Sequence, residues 1–332
     1  MPGFVKVLDA PVNGSKTVDI KTFTIMRQAL MLDLKFSVIR SQGLGDVLMT
    51  VVVVEALKRM YPSSSISFHT FPIYHQLVKR FSFIDQVGTL EDIDTSTVLV
   101  DLMGKIDFLP LCDKAHRLDL LADEAAVPRV LINKDFSFAP TPDEKKWATA
   151  YLKQKGVKKG DILLGLHLKA NADIRTWERS SCLALVEMVL QTFGPKYKVI
   201  LFEQNQVELP QNMQIDRVIN ATGELNVTQT LAVIHALKIL VCPDSGPMHL
   251  AGMMNVPFIG LFGPIDPDFR IRYYSKGEAI WIKPAGGPCP PCWDWQIRAC
   301  KDKDYKTCMN SITPEMVLDR LKERLGNARK LH

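Results

Sequence analysis

The sequence has no long hydrophobic run. Although 47% of its 332 residues are hydrophobic, they never follow one another for the eighteen or so positions that a spanning helix needs. The first twenty residues also lack the apolar centre of a secretion signal. We therefore expect a cytoplasmic protein, with any membrane association peripheral and on the inner face.

The sequence also lacks a large excess of either charge. Lys and Arg number 41 and Asp and Glu 36, and like charges form no long block. This mild positive balance favours small anionic ligands and gives no reason to expect nucleic acid. The length of 332 residues predicts about two domains.

The cysteines lack the spread of a disulfide framework. There are seven, an odd number, and four fall within twenty residues: Cys289, Cys292, Cys300 and Cys308. Four thiolates so close in sequence can surround one tetrahedral zinc or iron ion. Such a site would be structural, because four protein ligands leave no open position for substrate. Two local disulfides or reduced thiols are the alternatives. We expect small buried hydrophobes at the other three, Cys112, Cys182 and Cys242.

Short apolar strands alternate with amphipathic helices in two successive halves. "FSVIR" (36–40) opens the first half and "DILLGLH" (161–167) the second. This alternation predicts an α/β fold with two Rossmann-like, doubly wound parallel sheets that face each other across a cleft. The expected divisions are an extension at 1–34, an N-terminal domain at 35–140, and a C-terminal domain at 141–332 that carries a Cys-rich loop at 286–310 and a final helix.

Two local signals refine the second half. Thr141 and Glu144 flank Pro142 in a capping box, so a helix should run from about 142 to the glycine at 156. The segment 264–312 is rich in proline, glycine and cysteine, and we expect it to be mostly loop before a last helix opens at Thr313.

A corner with unusual side chains lies at 241–264, "VCPDSGPMHLAGMMNVPFIGLFGP". A buried strand ends at Pro243, and a helix should begin near Pro247. The first amides of a helix have no intrahelical partner and lie at its positive end, so they can bind a diphosphate. Alternatively, Asp244 or Ser245 simply caps the helix, and His249 is a buried polar residue with a neighbouring partner.

The corner and three other stretches resemble glycosyltransferase family 9, the ADP-heptose:lipopolysaccharide heptosyltransferases. The resemblance covers about 36–325 and includes "VIRSQGLGDVLMT", "IRTWE", "DSGPMHLAG...FGP" and the "CPPC" tail, which is similar to a metal finger in some members. It implies a GT-B fold, with the acceptor bound by the N-terminal half and a nucleotide-sugar by the C-terminal half. It also implies inverting transfer without a catalytic metal.

The resemblance implies a role for Asp46, the acid of "GLGD", as the general base that deprotonates the acceptor hydroxyl. Gly43 and Gly45 would leave room for the acceptor. The alternative from the residues alone is that Asp46 caps a helix that starts at Val47.

The resemblance also implies a donor site in the second half. Arg175 would reach the donor phosphate, with Lys169 and Arg179 as near competitors, and His249 would donate a hydrogen bond to phosphate. Glu203 stands where the family usually has glycine, which leaves the nucleotide open. The expected donor-binding residues are Arg175, Glu208, Asp244, Ser245, Gly246, Pro247, Met248 and His249.

The leading functional hypothesis is transfer of a sugar from a nucleotide diphosphate, with ADP-heptose as the implied donor. The acceptor is a glycan, by default a lipopolysaccharide core sugar, or a protein side chain; the oligomeric state is open. One alternative is a sugar-nucleotide epimerase of the same fold. The other is a non-catalytic, metal-knuckle module for nucleic acid, which is disfavoured because acidic and basic residues cancel near the cysteines.

Overall fold

The computed structural model describes residues 4–6, 17–19, 33–103, 115–210, 215–282, 300 and 304–326. Two short strands, β1 (Phe4–Lys6) and β2 (Thr17–Asp19), pair antiparallel with each other within the region expected to be an extension. Among the described helices, none is both long and apolar enough to cross a bilayer.

The first sheet has four parallel strands in the order β5-β4-β3-β6. They are β3 (Lys35–Ile39), β4 (Ser65–His69), β5 (Gln86–Gly88) and β6 (Val98–Asp101). Its helices are α1 (Leu44–Met60), α2 (His75–Val78) and α3 (Arg117–Glu124).

Helix α1 shows how packing overrides local preference. Its centre is a run of four valines, Val51 to Val54, which are poor helix formers because their χ1 freedom is lost. All four are at most 1% exposed, so burial of apolar surface supplies the stability that propensity does not. The helix ends at Met60, just before Tyr61 and the proline at 62.

The second sheet has six parallel strands in the order β12-β11-β10-β7-β8-β9. They are β7 (Ile162–His167), β8 (Tyr197–Phe202), β9 (Val218–Asn220), β10 (Ile239–Pro243), β11 (Phe258–Phe262) and β12 (Gly277–Trp281). In chain order this is the doubly wound arrangement of dinucleotide-binding sheets, whose ligands bind beyond the carboxyl ends of the strands.

The described residues of this half form seven further α-helices. They are α4 (Pro142–Gln154), α5 (Arg179–Thr192), α6 (Val227–His235), α7 (Gly246–Met253), α8 (Asp268–Ile271), α9 (Thr307–Asn310) and α10 (Pro314–Gly326). The predicted capping box is present at α4, where Thr141 Oγ1 accepts from the Glu144 amide at 3.2 Å. The final helix also begins where the sequence predicts.

The α/β prediction is confirmed. The segment 264–312 was expected to be mostly loop; its described part contains the short elements α8, β12 and α9, and β12 pairs with β11. The sequence also gives no apolar alternation at the three-residue strands β5 and β9, which join their sheets through backbone pairing with β4 and β8. Backbone hydrogen bonds of this kind leave little trace in side-chain pattern.

The two sheets share one apolar cluster. It runs from Phe36 and Val38 of β3 through α1 into Met248 and Leu250 of α7, and on to Phe258 of β11. Helices α1 and α7 contact each other directly. Since each follows a strand at the centre of its sheet, β3 and β10, the starts of both helices lie at the facing carboxyl edges.

Candidate functional site

Asp46 lies in the first turn of α1. The helix begins at Leu44, and its N-cap is Gly43, with φ of +82°, a conformation that favours glycine. Asp46 Oδ2 accepts from Arg40 Nη2 at 2.5 Å, and Oδ1 accepts from Arg117 Nε at 2.8 Å. The alternative in which Asp46 caps a helix starting at Val47 is therefore wrong.

The side chain of Asp46 remains 20% exposed despite these two ion pairs. Burial raises the pKa of this carboxyl, but the guanidinium charges of Arg117 and Arg40 outweigh that effect and hold the pKa well below its usual range. Asp46 is thus a carboxylate at neutral pH. Because a carboxylate has about four acceptor positions, it can still accept a hydrogen bond from a substrate hydroxyl.

The start of α7 has no side-chain cap. Ser245 is its N-cap residue, but its hydroxyl makes no capping hydrogen bond. Instead, Ser245 Oγ donates to the Pro243 carbonyl at 3.1 Å and lies 3.1 Å from His167 Nδ1. Ser245, Gly246 and Pro247 are half-buried, whereas Met248 is fully buried in the core. The first amides of α7 are therefore left without a serine cap at the edge of the cleft.

Asp244 lies immediately before α7 and is almost fully buried. Its Oδ2 accepts from Arg175 Nη1 at 3.0 Å, and Arg270 Nε lies 3.8 Å from the same oxygen. Burial raises the pKa of Asp244, but the charges of Arg175 and Arg270 more than compensate, so the net shift is downward. The expected phosphate-binding arginine thus lies beside the expected corner, where it is held by a carboxylate of this same chain.

His249 is buried on the first turns of α7. Its Nδ1 lies 2.8 Å from the hydroxyl of Tyr274, which matches the buried-polar alternative. Burial lowers its pKa to about 4, although the charges of Asp244 and Asp46 act in the opposite direction. The ring is therefore neutral at pH 7 and suited to hydrogen bonding. His167 behaves in the same way, since burial lowers its pKa to about 4.

The starts of α1 and α7 meet at two glycines. A β carbon on Gly45 would lie 2.3 Å from His249 Cδ2, and one on Gly246 would lie 2.7 Å from Leu44 Cβ. The two domains therefore contact each other at backbone distance. The space that Gly45 was expected to leave for an acceptor is filled by the His249 ring, while Gly43 makes way for the carboxylate of Asp46, 2.9 Å from its β-carbon position.

Glu208 lies in a different part of the domain edge. It follows β8, its side chain is exposed, and its carbonyl accepts a hydrogen bond from Arg179. Lys169, the other competitor of Arg175, is exposed after β7. The structure therefore brings Arg175, and not these neighbours, to the start of α7.

Three arginines at the site were not predicted from the sequence: Arg40, Arg117 and Arg270. Arg40 ends the stretch "FSVIR", and a charged residue directly after a buried parallel strand is a signal that could have identified it. Arg117 contacts Asp46 across 71 positions, and Arg270 lies on the four-residue helix α8. Neither position carries a local pattern that would single it out.

The metal prediction is only partly within the described residues, because Cys289 and Cys292 lie outside them. Cys112, which was expected to be a small buried hydrophobe, also lies outside them. Cys300 Sγ accepts from the Lys306 amide at 3.2 Å, and Cys308 is buried. No metal-binding group of His, Cys, Asp or Glu is found in the described ranges, so the four-thiolate site stays a prediction. Cys182 and Cys242 are buried as expected.

The Trp element serves a structural role. Trp177 is 1% exposed, and its Nε1 donates to the Ile312 carbonyl at 2.8 Å. Lys306 Nζ lies 2.7 Å from Glu178 Oε1. The segment 304–312, which contains Cys308, the last of the four clustered cysteines, therefore anchors the loop that carries Arg175.

Comparison with known proteins points to one family. The sequence profile of glycosyltransferase family 9 (heptosyltransferase) matches residues 127–291. Lipooligosaccharide heptosyltransferase 2 of Haemophilus influenzae is 27% identical over 169 residues, which cover 46% of this chain and 44% of that protein. The Haemophilus ducreyi lipooligosaccharide heptosyltransferase 2 is 23% identical over an alignment covering 88% of this chain and all of that protein.

Solved structures agree on the fold. The Escherichia coli ADP-heptose lps heptosyltransferase II superposes with a TM-score of 0.60 at 18% identity, covering 89% of this chain and 100% of that one. TibC, an iron-containing dodecameric glycosyltransferase from enterotoxigenic E. coli, gives 0.66 at 13% identity, covering 95% and 79%. The GT-B architecture is confirmed, and residues 127–291 have the sequence profile of glycosyltransferase family 9, so this chain is heptosyltransferase-like.

Proposed function

We propose that the protein is an inverting glycosyltransferase that moves heptose from ADP-heptose to a hydroxyl acceptor. The observation that carries the proposal is the juxtaposition of two groups across the domain contact. The partly exposed carboxylate of Asp46 belongs to one domain, and the serine-uncapped start of α7, with Arg175 beside it, belongs to the other. Sugar transfer needs a base and a diphosphate site in this relation.

In the proposed reaction, the acceptor oxygen attacks the anomeric carbon of the donor from the face opposite the diphosphate. The new oxygen–carbon bond forms as the bond from the anomeric carbon to the phosphate oxygen breaks, and the electron pair leaves with the diphosphate. The acceptor proton passes to Asp46. The configuration at the anomeric carbon inverts because a single displacement occurs.

Asp46 fulfils the first requirement of this scheme. Both of its oxygens are engaged by arginines, at 2.5 Å and 2.8 Å, so the carboxylate is ionised and fixed in direction. A base this strongly paired is a weak proton acceptor. Proton transfer therefore comes late in the reaction, when the attacking oxygen has become acidic.

The start of α7 fulfils the second requirement. Backbone amides and the positive helix end attract anions, and Gly246 has no side chain to hinder the approach of phosphate. Arg175 adds a full positive charge next to this position. Together they would stabilise the charge that develops on the leaving diphosphate.

The matched relatives are named lipooligosaccharide or lipopolysaccharide heptosyltransferases, which supports a glycan of that kind as acceptor. A protein side chain is the second candidate acceptor, on the likeness of the Cys-rich tail to the metal finger of some family members. Arg117 and Arg40 pair with Asp46, and their positive charge would suit an acceptor that itself carries negative charge.

Incubation with ADP-heptose labelled in the sugar tests the proposal. Label should move from nucleotide to acceptor in a cell extract of the source organism and should release one ADP per sugar. Label recovered in the lipid fraction identifies a glycan acceptor, and label recovered in protein identifies a side chain. A thermal-shift screen of ADP-, GDP- and UDP-sugars should favour the ADP donor; stabilisation by none of the three would overturn the assignment.

A further inference from the structure

Helix α8 places two arginines in opposite surroundings. Arg270 is 7% exposed; its Nη1 donates to the Phe269 carbonyl at 3.2 Å, and its Nε lies 3.8 Å from Asp244 Oδ2. Arg272, two positions later, is exposed and donates from its Nε to Asp268 at 2.9 Å. The surface arginine is therefore satisfied locally, whereas the buried one lies between the acidic residues of both domains.

Arg270 belongs to a cluster of guanidinium groups. Within the described residues, Arg40, Arg117, Arg175 and Arg270 lie around the carboxylates of Asp46 and Asp244. Asp244 Oδ2 already accepts from Arg175 at 3.0 Å, and the 3.8 Å contact to Arg270 is beyond hydrogen-bond distance. Guanidinium groups gathered at a buried place repel one another, and an anion that binds between them lowers that cost.

Arg270 is also coupled to both halves of the site. Burial lowers its pKa, and the charges of Asp244, Arg117, Arg175 and Asp46 all act on it. Its own charge in turn helps to keep Asp46 ionised. A guanidinium is protonated at any pH at which the protein folds, so this buried positive charge is permanent.

We propose that Arg270 is a second diphosphate-binding residue of the donor site, beside Arg175, and that Asp244 is the positioning residue that holds both guanidinium groups toward the start of α7. This inference rests on the proposed function and adds to it a named ligand. Two arginines and the helix amides together match the charge and the several oxygens of a diphosphate, which guanidinium groups bind through paired hydrogen bonds.

The test measures binding of inorganic pyrophosphate, ADP and adenosine to the full chain by calorimetry. Arg270→Met should weaken the binding of pyrophosphate and of ADP by tenfold or more, and so should Arg175→Met. Arg272→Met, the matched control on the same helix, should stay within twofold of the unmodified protein. Adenosine carries no phosphate, so its affinity should not change in any of the three variants.

The outcomes separate this inference from the function on which it rests. If Arg175→Met weakens pyrophosphate and Arg270→Met does not, Arg270 is no ligand, while the transferase assignment stands. If the unmodified protein binds neither pyrophosphate nor ADP, the proposed function fails. Should Arg270→Met not fold, Arg270→Lys decides: it keeps the charge without the planar fork and should weaken pyrophosphate at least threefold, and an unchanged affinity overturns the proposal.

Discussion

The two aspartates at the facing edges of the domains have the same chemistry and different surroundings. Asp46 follows the central strand of the first sheet, and Asp244 follows a central strand of the second; each is held by two arginines. The side chain of Asp46 is 20% exposed, whereas that of Asp244 is 4% exposed. Access to substrate therefore distinguishes a candidate base from a residue that positions cations.

The hydrogen bonds differ in the same direction. Asp46 is bonded by both of its arginines at 2.5 Å and 2.8 Å, while Asp244 has one hydrogen bond at 3.0 Å and a longer contact at 3.8 Å. The exposed acid is thus fully compensated, and the buried acid is shared between two cations. An arginine near an acid therefore does not show whether the acid acts on substrate or holds the arginine in place. Burial and hydrogen-bond geometry distinguish the two roles.

The largest expected effect is on the rate after Asp46→Asn. Loss of the base should lower sugar transfer by about 10²–10⁴-fold, because the amide is nearly isosteric but cannot take the proton. Pyrophosphate affinity should stay within twofold, since the donor site lies in the other domain. Measurement of ADP release and of pyrophosphate binding on the same sample checks both; a variant that loses pyrophosphate binding while keeping its rate would reverse the roles assigned to the two acids.

Asp244→Asn should act on stability. It leaves two buried guanidinium groups without their carboxylate, and removal of one partner of a buried ion pair costs about 3–5 kcal/mol. Denaturant unfolding should therefore show a larger loss of free energy for Asp244→Asn than for Asp46→Asn, because the Asp46 side chain is 20% exposed and that of Asp244 only 4%. Equal losses of the free energy of unfolding would mean that the difference in exposure between Asp46 and Asp244 does not affect stability.

Solution pH should also distinguish the buried cluster. The folded-state pKa of His249 and of His167 is about 4, below the ordinary 6.5. The unfolded chain therefore binds these protons first as the pH falls, so their contribution to stability is complete above about pH 6.5 and is lost as the pH falls toward 4. Each should add about 1.4 kcal/mol per pH unit to the slope in that window.

The matched variants are His249→Gln and His167→Gln, measured by denaturant unfolding between pH 7 and 4.5. Each variant should lower the slope of the free energy of unfolding against pH by the amount that corresponds to about one bound proton, relative to the unmodified protein. The control is His75→Gln, because His75 lies on α2, away from His249 and His167. A slope unchanged by both cleft variants would contradict the assigned burial effect.

The smallest expected effect is on the contact between the domains. Gly45→Ala would place a β carbon 2.3 Å from His249 Cδ2, so the ring or the whole helix must move. Overpacking of this kind costs about 1–3 kcal/mol. The midpoint of thermal unfolding should fall, while Gly194→Ala, with open space around its β-carbon position, should not show this steric cost.

The sequence predicted the architecture and the two corners well, because both depend on short-range pattern. The run that ends at Asp46 and the string from Asp244 to His249 each place small and polar residues directly after a buried strand. Thr141 and Glu144 likewise identify the start of α4 through a local rule. In such cases neighbouring residues carry the whole signal.

The arginine partners could not be predicted in this way. Arg117 reaches Asp46 across 71 positions and Arg175 reaches Asp244 across 69, so each pairing depends on how the elements fold together. Trp177 was singled out for its place in a motif, yet it is a core residue tied to a carbonyl 135 positions away. Long-range partners of this kind require the tertiary structure.

The glycine contact between α1 and α7 has an electrostatic consequence. Both helices point their amino-terminal ends at the same small space, and each such end carries about half a positive charge. Without a ligand, these like partial charges repel, which opposes the close approach that Gly45 and Gly246 permit. An anion bound there attracts both helix ends, so binding of the anion and close contact between the two domains stabilise each other.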